Sequence, residues 1–154
     1  MKKTDAAVQS FANGFLCSQA LFSTYCEELG LDPEKALKIA CGFGSGMSYT
    51  AGTCGAVTGA YMLIGLKHGK IAADDNNAKD ETYALIQEFT RRFKEKYGSV
   101  QCKDLLGCDI SNPEVLQEAK DKQLFTSVCH DIVRSAAEIV ENLLELGDSD
   151  TTCS

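Results

Sequence analysis

The chain has 154 residues, a length typical of one domain with a substantial core. Its 15 Lys and Arg against 22 Asp and Glu give a net charge of −7, which argues against nonspecific binding to nucleic acid or to anionic lipid. Eight cysteines in 154 residues lie below the density of a small disulfide scaffold.

The start of the chain lacks the pattern of a signal peptide. Polar residues such as Asp5 and Gln9 interrupt the apolar run that should follow Met1-Lys2-Lys3. We therefore expect a cytoplasmic protein. Static disulfides are rare in a reducing cytosol, so the thiols are expected to be buried, to bind metal or to cycle between redox states.

The cysteine spacing excludes the common local motifs. The cysteines are Cys17, Cys26, Cys41, Cys54, Cys102, Cys108, Cys129 and Cys153. Since no two of them are three positions apart, there is no C-x-x-C motif, no paired zinc knuckle and no covalent haem attachment. Any cysteine site must therefore be assembled by the fold from distant segments.

Hydrophobic periodicity predicts helices throughout the first half. Helices are expected over 4–12 and 15–29, and a third from Asp32-Pro33 to about residue 41. The uncharged run from 39 to 66 holds seven of the 13 glycines, and its apolar half is too short to span a membrane. It predicts a glycine-rich loop followed by a buried central helix over 54–68, with Thr53 as its N-cap.

The second half also has helical periodicity. A polar connector over 67–80 precedes a helix over 80–97, a short turn or helix near 102–107, a short helix opened by Asn112-Pro113, and a last helix over 124–146. The predicted fold is all-α: one compact bundle of five or six helices over 1–147, with a mobile tail over 148–154. The small residues of the central helix also predict close helix contact, within one chain or in a homo-oligomer.

The segment Gly52-Thr53-Cys54-Gly55 is the strongest candidate for chemistry. Cys54 is predicted in the first turn of a helix, where unpaired N–H groups and the helix dipole favour a thiolate. Gly52, Thr53 and Gly55 would let a substrate or cofactor approach the backbone. Tyr49 is expected to cover this site together with Thr50.

The segment carries a family resemblance. Cys17, the run from Cys54 to Gly59, Cys102 and Cys129 follow the order Cys, CGAxxG, Cys, Cys. In this the chain resembles, over roughly 10–146, the redox-active family labelled C_GCAxxG_C_C. The resemblance implies redox activity carried by these four cysteines, without specifying a reaction or a substrate.

Three interpretations of function remain open. In the first, Cys54 attacks a disulfide or another oxidised group, from a redox partner protein or a small substrate, and Cys17 or Cys102 resolves the intermediate. In the second, Cys17, Cys54, Cys102 and Cys129 bind zinc or an iron–sulfur cluster, with Cys108 as a weaker candidate ligand. In the third, the protein is a helical interaction module whose thiols only pack.

The remaining cysteines have no predicted functional role. Cys26 and Cys41 are expected to be core residues, because cysteine is among the most buried residue types. Cys153 is expected in the exposed tail.

Overall fold

The fold is a bundle of helices arranged around one central helix. The structure is a computed structural model and describes residues 1–147, so the predicted tail and Cys153 lie outside the described residues. Residues 1–147 form eight right-handed α-helices: α1 (Lys3–Ala12), α2 (Cys17–Tyr25), α3 (Pro33–Ala40), α4 (Gly55–His68), α5 (Asn76–Tyr97), α6 (Cys102–Leu106), α7 (Pro113–Asp121) and α8 (Leu124–Leu144).

The all-α class is confirmed, and the helix number exceeds the predicted five or six. The additional helices are short, as α6 has 5 residues and α3 has 8. Within residues 1–147, β pairing is confined to an isolated antiparallel bridge between Thr53 and Gln101. None of the helices described in this range has both the length and the apolar character needed to cross a bilayer.

The predicted buried central helix is α4, which packs against α2, α5 and α8. Its small residues allow this contact, because a Cβ at Gly59 would lie 2.9 Å from Leu21 Cβ and 3.0 Å from Ser18 O. The close helix contact predicted from these residues therefore occurs within the chain, between α2 and α4.

Side-chain caps fix the starts of three helices. Asp32 caps α3 by accepting the Lys35 N–H at 3.1 Å, and Asn112 caps α7 by accepting the Glu114 N–H at 2.9 Å, as the sequence predicted. Helix α5 begins at Asn76 and not near residue 80, because the Asp75 carboxylate accepts the Ala78 N–H at 3.1 Å. Helix α2 starts later than predicted, at Cys17.

A second, smaller apolar cluster lies beside the main core. It contains Cys102, Leu106, Ile110 and Ala119, against which Phe125 and Cys129 of α8 pack. This cluster fixes α6 and α7 against α8, and it brings Cys102 and Cys129 to the same side of the bundle.

A thiol-lined cavity as the candidate functional site

The four cysteines of the ordered pattern line one cavity of about 210 Å³. The sulfur-bearing residues are largely buried: Cys17, Cys54 and Cys102 are 8%, 6% and 7% exposed, and Cys129 is half-buried. The complete lining consists of Phe11, Leu16, Cys17, Ser45, Gly46, Tyr49, Cys54, Gly55, Cys102, Lys120, Phe125 and Cys129. The fold therefore assembles cysteines from four separate segments, as the spacing required.

Cys17 is the first residue of α2 and lies against the start of α4. The Gln19 side chain accepts the Leu16 N–H at 3.0 Å, which fixes the beginning of the helix. A Cβ at Gly55 would lie 2.5 Å from Cys17 Sγ. Only glycine at position 55 therefore allows the Cys17 sulfur to reach the N-terminus of α4.

Cys54 is the N-cap residue of α4, and the prediction that Thr53 has this role is wrong. Thr53 is held instead in the bridge with Gln101. Two backbone hydrogen bonds flank that bridge, from Cys54 N to Val100 O at 2.8 Å and from Cys102 N to Gly52 O at 2.9 Å. This pairing places the start of α4 beside the start of α6, so Cys54 and Cys102 lie on neighbouring segments.

The glycine-rich loop contains a left-handed helical turn that forms one wall of the cavity. Ser45, Gly46, Met47 and Ser48 have φ between 55° and 65° and ψ between 44° and 64°. Such a conformation costs about 1–2 kcal/mol for each non-glycine residue. The turn is held by Gly52 N donating to Gly46 O at 2.8 Å and by Ser48 Oγ donating to Gly42 O at 2.7 Å.

Gly46 lets this turn approach Cys102. A Cβ at Gly46 would lie 2.7 Å from Cys102 Cβ, and its φ of +65° is a conformation that L residues adopt at a cost. Strained backbone of this kind is concentrated at functional sites in proteins. The turn also contributes Ser45 and Tyr49 to the cavity, whereas Thr50, also expected to cover it, donates to Met47 O at 2.8 Å and is not part of the lining.

The electrostatics distinguish Cys17 from the other thiols. A hydrogen bond with the Cys54 thiol lowers the pKa of Cys17 from an ordinary value of 9.0 to about 7, although burial opposes this. The backbone N–H groups of Ser45, Ser18 and Ala56 also donate to Cys17 and stabilise its thiolate. Several donors converging on one sulfur are the arrangement that favours ionisation.

The other three thiols have raised pKa values. The hydrogen bond with Cys17 raises the pKa of Cys54 well above 9.0, since Cys54 is the proton donor, and burial raises it further. Burial also raises the pKa of Cys102 and of Cys129 to about 12 each. At neutral pH the cavity therefore combines one thiolate-forming sulfur, Cys17, with three protonated thiols. The sequence pointed to Cys54 as the readily ionised thiol, whereas the additional backbone donors favour ionisation at Cys17.

The remaining predicted site residues have different places. Gly52, Thr53 and Gly55 were predicted to let a substrate or cofactor approach the backbone. Gly55 lines the cavity, whereas Gly52 and Thr53 lie in the bridge segment that positions the start of α4. Cys108 lines a separate, adjacent cavity with Glu118 and Lys122.

The two cysteines expected in the core differ in burial. Cys26 is fully buried, as predicted. The same prediction for Cys41 is wrong, because it lies in the short turn Cys41–Phe43 after α3 and is exposed. Ala36 and Ala40 occupy the core-facing positions of α3 instead.

Four further lining residues were not indicated by the sequence. Phe11, Leu16, Lys120 and Phe125 come from α1, the start of α2, α7 and α8. Phe11 and Phe125 belong to apolar stripes that a sequence alone assigns to a core. Lys120 is a lysine on the polar surface of α7, and no local signal distinguishes it from other surface lysines.

The cavity has the number of thiols that a tetrahedral metal or a cluster uses. Within residues 1–147, however, no three Cys, His, Asp or Glu side chains are placed closely enough to hold one metal ion. The fit is therefore one of residue type and number, and side chains would have to move for metal coordination.

Comparison with known proteins finds a match to a family model. The family model described as "Putative redox-active protein (C_GCAxxG_C_C)" matches residues 15–143. Here Cys54 precedes Gly55, in the reverse of the order in the family's label. No curated protein and no solved structure was found to match the chain. Because the matched range covers most of the chain and contains all four cavity cysteines, the protein belongs to this redox-active family.

Proposed function

We propose that the protein is a thiol redox protein in which Cys17 and Cys54 cycle between a dithiol and a disulfide. The observation that carries this proposal is that Cys17 and Cys54, at the converging starts of α2 and α4, line the same cavity, with Cys17 Sγ packed against Gly55. The family description supports a general redox role. Compared with the expectation from sequence, the roles are exchanged: Cys17 attacks and Cys54 resolves.

The chemistry follows from the two protonation states. The Cys17 thiolate attacks one sulfur of an oxidised substrate RSSR, the substrate S–S bond breaks, and one half leaves as RS⁻. The Cys54 sulfur then attacks Cys17 Sγ in the mixed disulfide and displaces the second half as RS⁻. The Cys54 proton passes to a leaving thiolate, so two electrons and one proton leave the protein and a Cys17–Cys54 disulfide remains.

Trapping the intermediate tests this assignment. Reduced protein is mixed with a small disulfide and the products are mapped by peptide mass spectrometry. We expect a Cys17–Cys54 disulfide in the unmodified protein, a stable mixed disulfide on Cys17 in Cys54→Ser, and loss of the fast reaction in Cys17→Ser. The matched control is Cys41→Ala, because Cys41 is exposed and lies outside the cavity. A Cys17→Ser variant that reacts as fast as the unmodified protein would overturn the proposal.

A second candidate function is metal or cluster binding by Cys17, Cys54, Cys102 and Cys129, favoured by the presence of all four on one cavity. Zinc or iron would then be held by thiolates, and the three protonated thiols would have to release their protons on binding. Anaerobic purification followed by metal and sulfide analysis distinguishes the candidates. A fixed ratio of metal to chain supports this candidate, and a metal-free protein that forms the Cys17–Cys54 disulfide supports the first.

A further inference from the structure

The depth of the thiols restricts which oxidants can reach them. Cys17 and Cys54 are 8% and 6% exposed, on the inner wall of the cavity. Attack on a disulfide requires the thiolate to approach one of its sulfur atoms directly. A disulfide on the surface of a folded protein cannot make that approach unless the cavity opens, whereas a small molecule can enter it.

The cavity volume restricts the size of the entering group. An engineered protein cavity of about 150 Å³ holds one benzene molecule, and drug-sized ligands occupy pockets of about 300–1,000 Å³. The volume of about 210 Å³ lies between these values. It therefore accommodates one arm of about the size of a substituted ring, and not a peptide.

The lining determines the chemical character of that arm. The side chains of Phe11, Leu16, Tyr49 and Phe125 give apolar walls. Among the lining residues that the structure describes, Lys120 is the one basic residue and no Asp or Glu is present. Its ammonium lies 5.5 Å from the centre of the exposed Tyr49 ring, and the residue itself is exposed. A flexible cation at the rim of an apolar cavity favours a ligand with an apolar body and an anionic end.

From these observations we infer that the substrate is a low-molecular-weight disulfide with an apolar, ring-sized arm that carries a carboxylate. This inference rests on the proposed function and specifies its substrate class. The arm enters between Phe11 and Phe125, its carboxylate pairs with Lys120, and its sulfur meets Cys17. Reaction then follows the two displacements above, giving one thiol, one thiolate and the Cys17–Cys54 disulfide.

A series of oxidants tests the inference on the intact reduced chain. The probes are 5,5′-dithiobis(2-nitrobenzoate) with anionic aromatic arms, 4,4′-dithiodipyridine with neutral aromatic arms, cystamine with cationic arms, and insulin as a protein disulfide. The rate of Cys17–Cys54 disulfide formation is measured for each and normalised to its rate with a free thiol. We expect the normalised rate to decrease from the anionic aromatic probe to the neutral aromatic probe, then to cystamine and finally to insulin.

Variants of Lys120 separate charge from size. Lys120→Glu should slow the nitrobenzoate probe by about tenfold, the lower end of electrostatic effects on association, and change the neutral probe by less than about twofold. Lys122→Glu is the matched control, because Lys122 lies two residues away and pairs with Glu118 at 2.9 Å beside the other cavity.

The outcomes distinguish the two levels of the proposal. Disulfide formation at similar normalised rates with all four probes, or equal effects of Lys120→Glu and Lys122→Glu, would overturn the substrate inference while leaving the thiol pair intact. Failure of every probe to give a Cys17–Cys54 disulfide would overturn the proposed function and the inference with it.

Discussion

Removing the hydrogen bond between the two thiols should raise the pKa of Cys17. The Cys54 thiol is the largest cause of the lowered pKa, and it lies on a different helix from Cys17. In Cys54→Ala this donor is lost, while the backbone N–H groups of Ser45, Ser18 and Ala56 remain. The midpoint of Cys17 ionisation should therefore move from about pH 7 toward the ordinary 9.0.

The size of the effect follows from the two limits. With a pKa of about 7, Cys17 is half ionised at pH 7, whereas with a pKa of 9.0 only about one molecule in a hundred is ionised. The thiolate population thus differs by about fifty-fold. A thiolate of lower pKa is also a weaker nucleophile. With a Brønsted coefficient of about 0.45, its reactivity is about eightfold lower, which offsets part of the gain in thiolate population. The net alkylation rate at pH 7 should therefore differ by about sixfold at most.

The midpoint is accordingly a better measurement than a single rate. We expect iodoacetamide labelling of the Cys17 peptide, followed by mass spectrometry, to show a midpoint near pH 7 in the unmodified protein. Cys54→Ser retains a hydroxyl donor and should fall between the unmodified protein and Cys54→Ala, while Cys41→Ala should leave the midpoint unchanged. A midpoint near pH 9 in the unmodified protein, or the same midpoint in Cys54→Ala, would refute the reasoning.

Two further predictions concern stability. Gly55→Ala should destabilise the fold by about 1–3 kcal/mol in denaturant unfolding and raise the Cys17 midpoint, because its Cβ would lie 2.5 Å from Cys17 Sγ. In the same helix, Gly65→Ala meets no atom within 4 Å and should stabilise by up to about 1 kcal/mol; similar results for both variants would contradict the argument. Above pH 9 the free energy of unfolding should fall by up to about 1.4 kcal/mol per pH unit for each thiol with a raised pKa, because the unfolded chain releases protons that the folded state retains. Cys102→Ala should reduce that slope by one proton, and an unchanged slope would exclude Cys102 as a contributor.

Cys17 makes the opposite contribution to the pH dependence of stability. Because its pKa is lowered on folding, it stabilises the native state fully above pH 9, and this contribution is lost as the pH falls through about 7. The two effects act on opposite sides of pH 9. Unfolding experiments across this range therefore separate the contribution of Cys17 from those of Cys54, Cys102 and Cys129.

The extent to which the sequence predicts this molecule depends on how local each feature is. Caps such as Asp32 and Asn112 act within three residues, so the starts of α3 and α7 were predictable. The cysteine order and the apolar stripes similarly indicated an all-α fold and the four sulfurs of the cavity. Thr53 was predicted as a cap on equally local grounds, but pairing with the distant Gln101 determines its conformation instead.

The proposed exchange of roles between the two thiols could not be predicted from the sequence in the same way. Both Cys17 and Cys54 lie at helix starts, so the helix dipole alone does not distinguish them. Two of the three backbone donors to Cys17 come from Ser45 in the glycine-rich loop and Ala56 in α4. These contacts exist only after α2, the loop and α4 have packed together, which no local pattern encodes.

The strained turn and the lowered pKa of Cys17 have a common structural origin. The left-handed conformation over residues 45–48 costs several kcal/mol in backbone strain, yet it directs the Ser45 N–H to Cys17 and places Gly46 against Cys102. A relaxed loop would withdraw that donor and leave a gap beside Cys102. The close contacts at Gly46 and Gly55 therefore act together. The contact at Gly46 brings the loop to the sulfurs, and the contact at Gly55 brings α2 to α4. The fold tolerates the strain because these contacts and the hydrogen bonds of the turn form in the same arrangement, and that arrangement makes Cys17 the ionised member of the pair.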